Sequence, residues 1–146
     1  MDAEAYRADS RERWEEAAKG WSERRAAIQR SALAVSEAII EHAALQPGHA
    51  VLEVAAGLGD TGLLAAELVQ PGGTVVLSDV ADAMVEAAKA HVEASGAANV
   101  EVRQMEGEWL DVPTASQDAI VSRWGYMLLA DPEAALREAC CGPAGG

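Results

Sequence analysis

The sequence predicts an α/β fold, a doubly wound, mostly parallel sheet preceded by N-terminal helices, and three observations carry the prediction. Residues up to about 45 show helix-period apolar positions and no strand-like run. From residue 49, short runs rich in branched side chains alternate with helical stretches, the pattern of right-handed crossovers in a parallel sheet covered on both faces. Between the first such run and the helix after it lies a glycine turn, Gly57-Leu58-Gly59, at the strand end where open sheets bind ligands.

In chain order, Asp9 or Ser10 is expected to cap the first helix, with Glu12 at capping-box spacing from Asp9. Trp14, Trp21 and Ile28 recur every seven residues on one face. Indoles are costly to leave in water, so that face is expected to lie on the domain's own core rather than on a partner. A second helix, "ALAVSEAIIEHAAL", stops before Pro47-Gly48. Then follow strand "HAVLEVAA", helix "TGLLAAELV" ending at "QPGG", strand "TVVLSD", helix "ADAMVEAAKAHVEAS" ended by Gly96, and strands "NVEVRQM" and "DAIVSRW". A last helix begins near "DPEAALREA", with Asp131 as cap and Pro132 in its first position. The expected organisation is one domain, with a helical segment over 1–48, a ligand-binding core over 49–139 and an irregular tail over 140–146.

The chain has 146 residues, half of them apolar, and 24 acidic against 11 basic residues give a formal charge of −13. Such a field repels a phosphate backbone or an anionic membrane, so neither nucleic acid nor membrane is expected as a partner. The N-terminus lacks a signal-peptide core and no run of about 18 apolar residues occurs, so a cytoplasmic location is expected. Cys140 and Cys141 are adjacent and cannot staple a fold, no metal constellation is visible, and His42, His49 and His91 are assigned no catalytic role.

The glycine loop has two readings. Gly57, Gly59 and Gly62 fit the G-x-G-x-x-G dinucleotide fingerprint, while Glu53 at the strand's end suits the cationic amino group of a zwitterionic ligand. Glu53 would be awkward beside a pyrophosphate, and Ala55 and Ala56 separate the strand from the first glycine, so both features favour the zwitterion. Asp79 ends the second strand about twenty residues later, where a carboxylate accepts from ribose hydroxyls in either kind of cofactor. The bland alternative is that Asp79 or Asp82 caps the next helix.

The blocks "VLEVAAGLGDTG", "VVLSDVADAM", "VRQMEGEWLDVP" and "AIVSRWGYMLLADPEAALREA" together resemble class I S-adenosylmethionine-dependent methyltransferases, in the branch like the ubiquinone and menaquinone biosynthesis methyltransferases. The resemblance runs from about residue 10 to 139. It implies a Rossmann-like sheet of order 3-2-1-4, S-adenosyl-L-methionine as cofactor and a small-molecule acceptor. By the same resemblance, Glu53 lies near the cofactor's amino group, and Ala55, Gly57 and Gly59 form the loop around its methionine moiety. Asp79 takes the ribose hydroxyls, Val80 and Met84 pack near the adenine, and Glu106 accepts from the adenine amino group beside the Gly107 amide. Arg123 falls at the methionine end of the pocket, with Trp124 and Tyr126 toward the acceptor or in the core.

Two departures stand out. Ala55 replaces a common glycine, and the chain reads "CCGPAGG" where the family continues into three more strands. The expectation is therefore a truncated chain whose fourth-strand edge invites homo-oligomerisation, better equipped for cofactor binding than for turnover. The alternatives are an NAD(P)-dependent oxidoreductase on the literal glycine fingerprint and a non-catalytic, self-associating fragment.

Overall fold

A computed structural model describes residues 2–141. Two helices, α1 (Ala3–Glu23) and α2 (Arg25–Ala43), precede β1 (Ala50–Glu53), α3 (Asp60–Leu68), β2 (Thr74–Asp79), α4 (Asp82–Ser95), β3 (Val100–Gln104) and β4 (Ala119–Val121). A short 3-10 turn (Tyr126–Leu128) leads into α5 (Pro132–Cys141). The four strands form one parallel sheet in the order β3-β2-β1-β4, as the resemblance implies.

β1 is one of the two inner strands and is buried on both faces. The period-two alternation of a strand sends Val51 to one side, with Val75, Leu77, Ala65, Ala66 and Val69, where α2, α3 and α4 cover the sheet. Leu52 and Val54 go to the other side, with Val76, Met105, Leu110 and Val112, so much of that face is covered by the segment after β3. A third cluster joins α1 to the sheet's ligand end: Trp14, Ala18 and Trp21 pack on Leu58, Ala81 and Met84. Register places Glu53 opposite Leu77 and Val121, and Asp79 opposite Gln104, so both carboxylates stand at the carboxyl edge of the sheet.

Several local expectations shift. α1 begins about two turns earlier than expected: Asp2 is the cap, accepting from the Ala5 amide at 2.7 Å. Asp9 and Ser10 lie inside the helix, where Asp9 pairs with Arg13 one turn on. The helix breaks at Arg24, so Ile28 belongs to α2, while Trp14 and Trp21 remain together edge-to-face at 5.6 Å. β4 is shorter than "DAIVSRW" because the chain turns away after Val121: the Ser122 hydroxyl donates to the Val54 carbonyl, and Trp124 is left-handed. Cys140 and Cys141 end α5 instead of opening a tail; the remainder of the expected tail lies outside the described residues. Among the described residues, no helix is long and apolar enough to cross a membrane.

α4 has no cap from its own chain segment. Ala81 occupies the cap position, and Glu15 of α1 supplies the missing acceptor, taking the amides of Asp82 and Ala83, the latter at 2.8 Å. Glu15→Ala leaves those donors without a partner and is expected to destabilise the fold by about 1 kcal/mol. Urea denaturation, read as a lowered midpoint at constant slope, measures it; an unchanged midpoint would deny the cap.

Candidate functional site

A cavity of about 330 Å³ opens at the carboxyl ends of the strands, within the ordinary range for a small-ligand site. The loops after β1, β2, β3 and β4 form its floor and sides, and α1 forms a further wall.

Glu53 is the chemical centre of the floor. Only 2 % of it is exposed, and its Oε2 accepts from the Gly62 amide at 2.7 Å, in the first turn of α3. Burial pushes its carboxyl up to about 8; the Gly62 amide and the Arg123 guanidinium pull it down, and Asp60 and Asp79 push it further up. Gly62 is therefore not free to cradle a phosphate. A Cβ there would stand 2.6 Å from Glu53 Oε2 and 2.2 Å from Leu77 Cδ2, so this glycine exists for close approach.

The structure divides the loop glycines between two jobs. Gly57 lines the cavity with φ +55°, and its amide donates to Asp79 Oδ2 at 2.9 Å. Gly59 is not among the lining residues; it caps α3 with φ +82°, and a Cβ on it would meet Leu77 Cδ1 at 2.3 Å. Ala55 lines the cavity and is itself left-handed, φ +53°, which explains why glycine suits that position.

Asp79 lies in the wall. Its Oδ2 takes the Gly57 amide, and its Oδ1 takes the Ala81 amide at 3.2 Å. Each carboxylate oxygen has a second lone pair, so capacity for a ligand hydroxyl remains. Burial raises its pKa, and the amides of Gly57, Ala81 and Val80 oppose the rise. Val80, Met84, Glu106 and Gly107 also line the cavity. Glu106 is paired with Arg11 of α1. Arg123 lines the opposite side, its Nη1 donating to Ser36 Oγ at 2.8 Å, and Ser36 is bonded in turn to Thr61 at 2.8 Å. Trp124 is in the lining and half-exposed, with Arg123 stacked 5.5 Å from its ring, whereas Tyr126 is not in the lining.

Sequence reasoning missed the α1 wall, made of Tyr6, Arg7, Ser10, Trp14 and Trp21. It also missed Glu108, buried and bonded to Arg7 Nε at 2.5 Å and to the Asp131 amide at 2.6 Å. The available signal was the one-turn spacing of Arg7 and Arg11 in an acidic chain. His91, read as uninvolved in catalysis, lies outside the lining and shares buried Asp60 with Arg25, at 3.2 and 2.8 Å. Among the described residues, no cluster of His, Cys, Asp and Glu could hold a metal ion.

The donors fit an adenosyl amino acid: a buried carboxylate for an ammonium group, a second carboxylate at the next strand end, and an apolar wall between Val80 and Met84. Comparison with known proteins agrees. A family model described as a methyltransferase domain matches residues 51–141. The ubiquinone/menaquinone biosynthesis C-methyltransferase of Ectopseudomonas mendocina is 34% identical over 99 residues, 67% of this chain and 39% of the relative. A solved S-adenosylmethionine-dependent methyltransferase from Aquifex aeolicus superposes with a TM-score of 0.66 at 29% identity, over 70% of this chain and 55% of that one. The YcgJ protein of Bacillus subtilis gives 0.68 at 30% identity, over 73% and 44%. The chain thus spans about two fifths of the length of the curated relatives it matches.

The raised pKa of Glu53 sets a pH dependence. Its ordinary value is 4.5 and its folded value about 8, so between them the folded state holds a proton that the unfolded state releases. Stability therefore falls as pH rises through that window, by up to about 1.4 kcal/mol per pH unit. Glu53→Gln cannot ionise and is expected to flatten the decline between pH 5 and 8, leaving the smaller contribution of Asp79. Chemical denaturation at several pH values measures this, and parallel profiles for the two proteins would refute it.

Proposed function

The chain belongs to the family of methyltransferase domains, and we propose that it binds S-adenosyl-L-methionine in the strand-end cavity and serves methyl transfer to a small-molecule acceptor. The observation that carries this reading is Glu53, a buried carboxyl group at the end of the inner strand β1, facing the cavity with one hydrogen bond from Gly62. The field of a cationic amino group would bring this raised carboxyl back to its ionised form and pair with it, whereas a pyrophosphate would hold it protonated.

In this reading Glu53 receives the ammonium group, and Ala55 and Gly57 border the methionine moiety, with Gly59 setting the turn behind them. Asp79 accepts from the ribose hydroxyls, Val80 and Met84 flank the base, and Glu106 accepts from its amino group beside the Gly107 amide. Arg123 closes the methionine end. When bound, the cofactor supplies an electrophilic methyl group on a sulfonium. The chain's own contribution is to orient the ligand and, through the indoles of α1 and the buried floor, to exclude water.

The outer edge of β4 pairs with no strand among the described residues, and we include self-association along that edge in the proposal. Sedimentation should then show a mean mass that rises with protein concentration. A monomer mass independent of concentration would rule the edge out as an interface.

Asp79→Ala should weaken S-adenosylhomocysteine binding at least tenfold, about 1.4 kcal/mol, in isothermal titration. An unchanged affinity would remove Asp79 from the site. Binding of NAD with no binding of S-adenosylhomocysteine would overturn the cofactor assignment as a whole.

A further inference from the structure

α1 carries Arg7 and Arg11 one turn apart, about 6 Å along the helix axis. Across from them, Glu106 and Glu108 stand in the tight turn after β3 that the Glu106–Trp109 bridge closes. The charges pair across the gap, Arg7 with Glu108 and Arg11 with Glu106.

The two pairs have different surroundings. The Glu108 side chain is 3% exposed and both of its oxygens are used, one by Arg7 and the other by the Asp131 amide. That pair is structural. The Glu106 side chain is 30% exposed and lines the cavity; Arg11 takes Oε1, and among the described residues Oε2 receives no hydrogen bond. The Glu106 backbone is fixed as well, by a bridge to Trp109, whose ring carries the Arg7 guanidinium at 4.6 Å.

We propose that Arg11 is a positioning residue for base recognition: by holding Glu106 through Oε1 it presents Oε2 to an exocyclic amino group, so that the site selects a 6-aminopurine over a 6-oxopurine nucleoside. The proposal rests on the reading of the cavity as an adenosyl site. An ionised carboxylate only accepts hydrogen bonds. Opposite an amino group it finds a donor; opposite a carbonyl it faces a second acceptor, a repulsive contact that discriminates as strongly as the attractive one. The selectivity depends on the carboxylate being held there, since a free Glu side chain would swing toward solvent. Arg11 fixes it before the ligand arrives, which removes an ordering cost from binding. The exposed pair itself contributes little to folding, so Arg11 can be replaced without loss of the domain.

The test is isothermal titration of the full chain with S-adenosylhomocysteine and with its 6-oxo counterpart, S-inosylhomocysteine, after circular dichroism has verified the fold of each variant. The unsubstituted chain should prefer the adenosyl ligand. Arg11→Gln should lose about two- to tenfold of that preference by weakening the adenosyl ligand alone, and Arg11→Lys should recover part of it. In a Glu106→Gln background, Arg11→Gln should leave the ratio of affinities unchanged, because its route of action is gone. Equal weakening of both ligands, an unchanged ratio, or an effect that persists in the Glu106→Gln background overturns the positioning role while leaving the cofactor reading intact. If the unsubstituted chain binds neither ligand, both fall.

Discussion

Three carboxylates, Glu53, Asp60 and Asp79, converge on one short loop between β1 and α3, and the surrounding structure is arranged to keep them from meeting as bare charges. Each is compensated by a different element. Glu53 takes the Gly62 amide and lies in the field of Arg123. Asp60 is turned the other way, toward Arg25 of α2 and His91 of α4. Asp79 takes the amides of Gly57 and Ala81. The hydrogen bond from Gly62 has the widest consequences. It requires α3 to approach β1 so closely that residue 62 has no room for a Cβ, and Leu77 fills the space against both Gly59 and Gly62. The close approach of α3 to the sheet, the course of the glycine loop and the floor of the cavity therefore have one common cause. Of the three carboxylates, Glu53 has the least compensation from the protein itself, and it faces the cavity.

α1 belongs to this arrangement rather than standing apart from it. Its residues reach three separate parts of the sheet's carboxyl edge: Tyr6 donates to the Leu128 carbonyl at 3.1 Å, Arg7 and Arg11 pair with the segment after β3, and Glu15 caps α4. Between these polar contacts, Trp14 and Trp21 lie on Leu58, Ala81 and Met84. Single exposed ion pairs contribute little. The apolar stripe supplies the attraction that seats the helix, and the polar contacts fix its register along the edge. One side of the cavity thus depends on residues more than a hundred positions from the 3-10 turn that they close against.

What could be read from the sequence was local. β2 matches "TVVLSD" residue for residue, Gly96 ends α4 in the left-handed conformation, and the Asp131 carboxylate accepts from the Ala134 amide at 2.9 Å, because each signal and its cause lie within a few residues. Glu53 was also legible, since a charge inside an apolar strand is conspicuous. The sequence did not disclose that Glu15 caps α4, or that Asp60 is shared by Arg25 and His91; those partners are 31 to 68 residues apart and follow no period. Gly59 shows another limit. A glycine in a turn announces a positive φ or a close approach, but not whether the neighbour is a ligand or, as here, a leucine.

Two of the four non-glycine residues with left-handed backbones among the described residues line the cavity. Ala55 and Trp124 both have left-handed backbones, an arrangement that costs a residue with a side chain on the order of 1 to 3 kcal/mol. They lie in the loops after β1 and β4, which meet at Gly125: a Cβ there would come 2.6 Å from the Ala55 methyl and 2.4 Å from Ser122 Oγ. Ser122 in turn bonds to the Val54 carbonyl at 2.7 Å, tying the two loops together. Neither loop can relax its strained residue without opening this contact, so each holds the other in place. A methyl group at position 55 is tolerated because position 125 has none, and the two loops together give that end of the cavity a shape set by the protein alone.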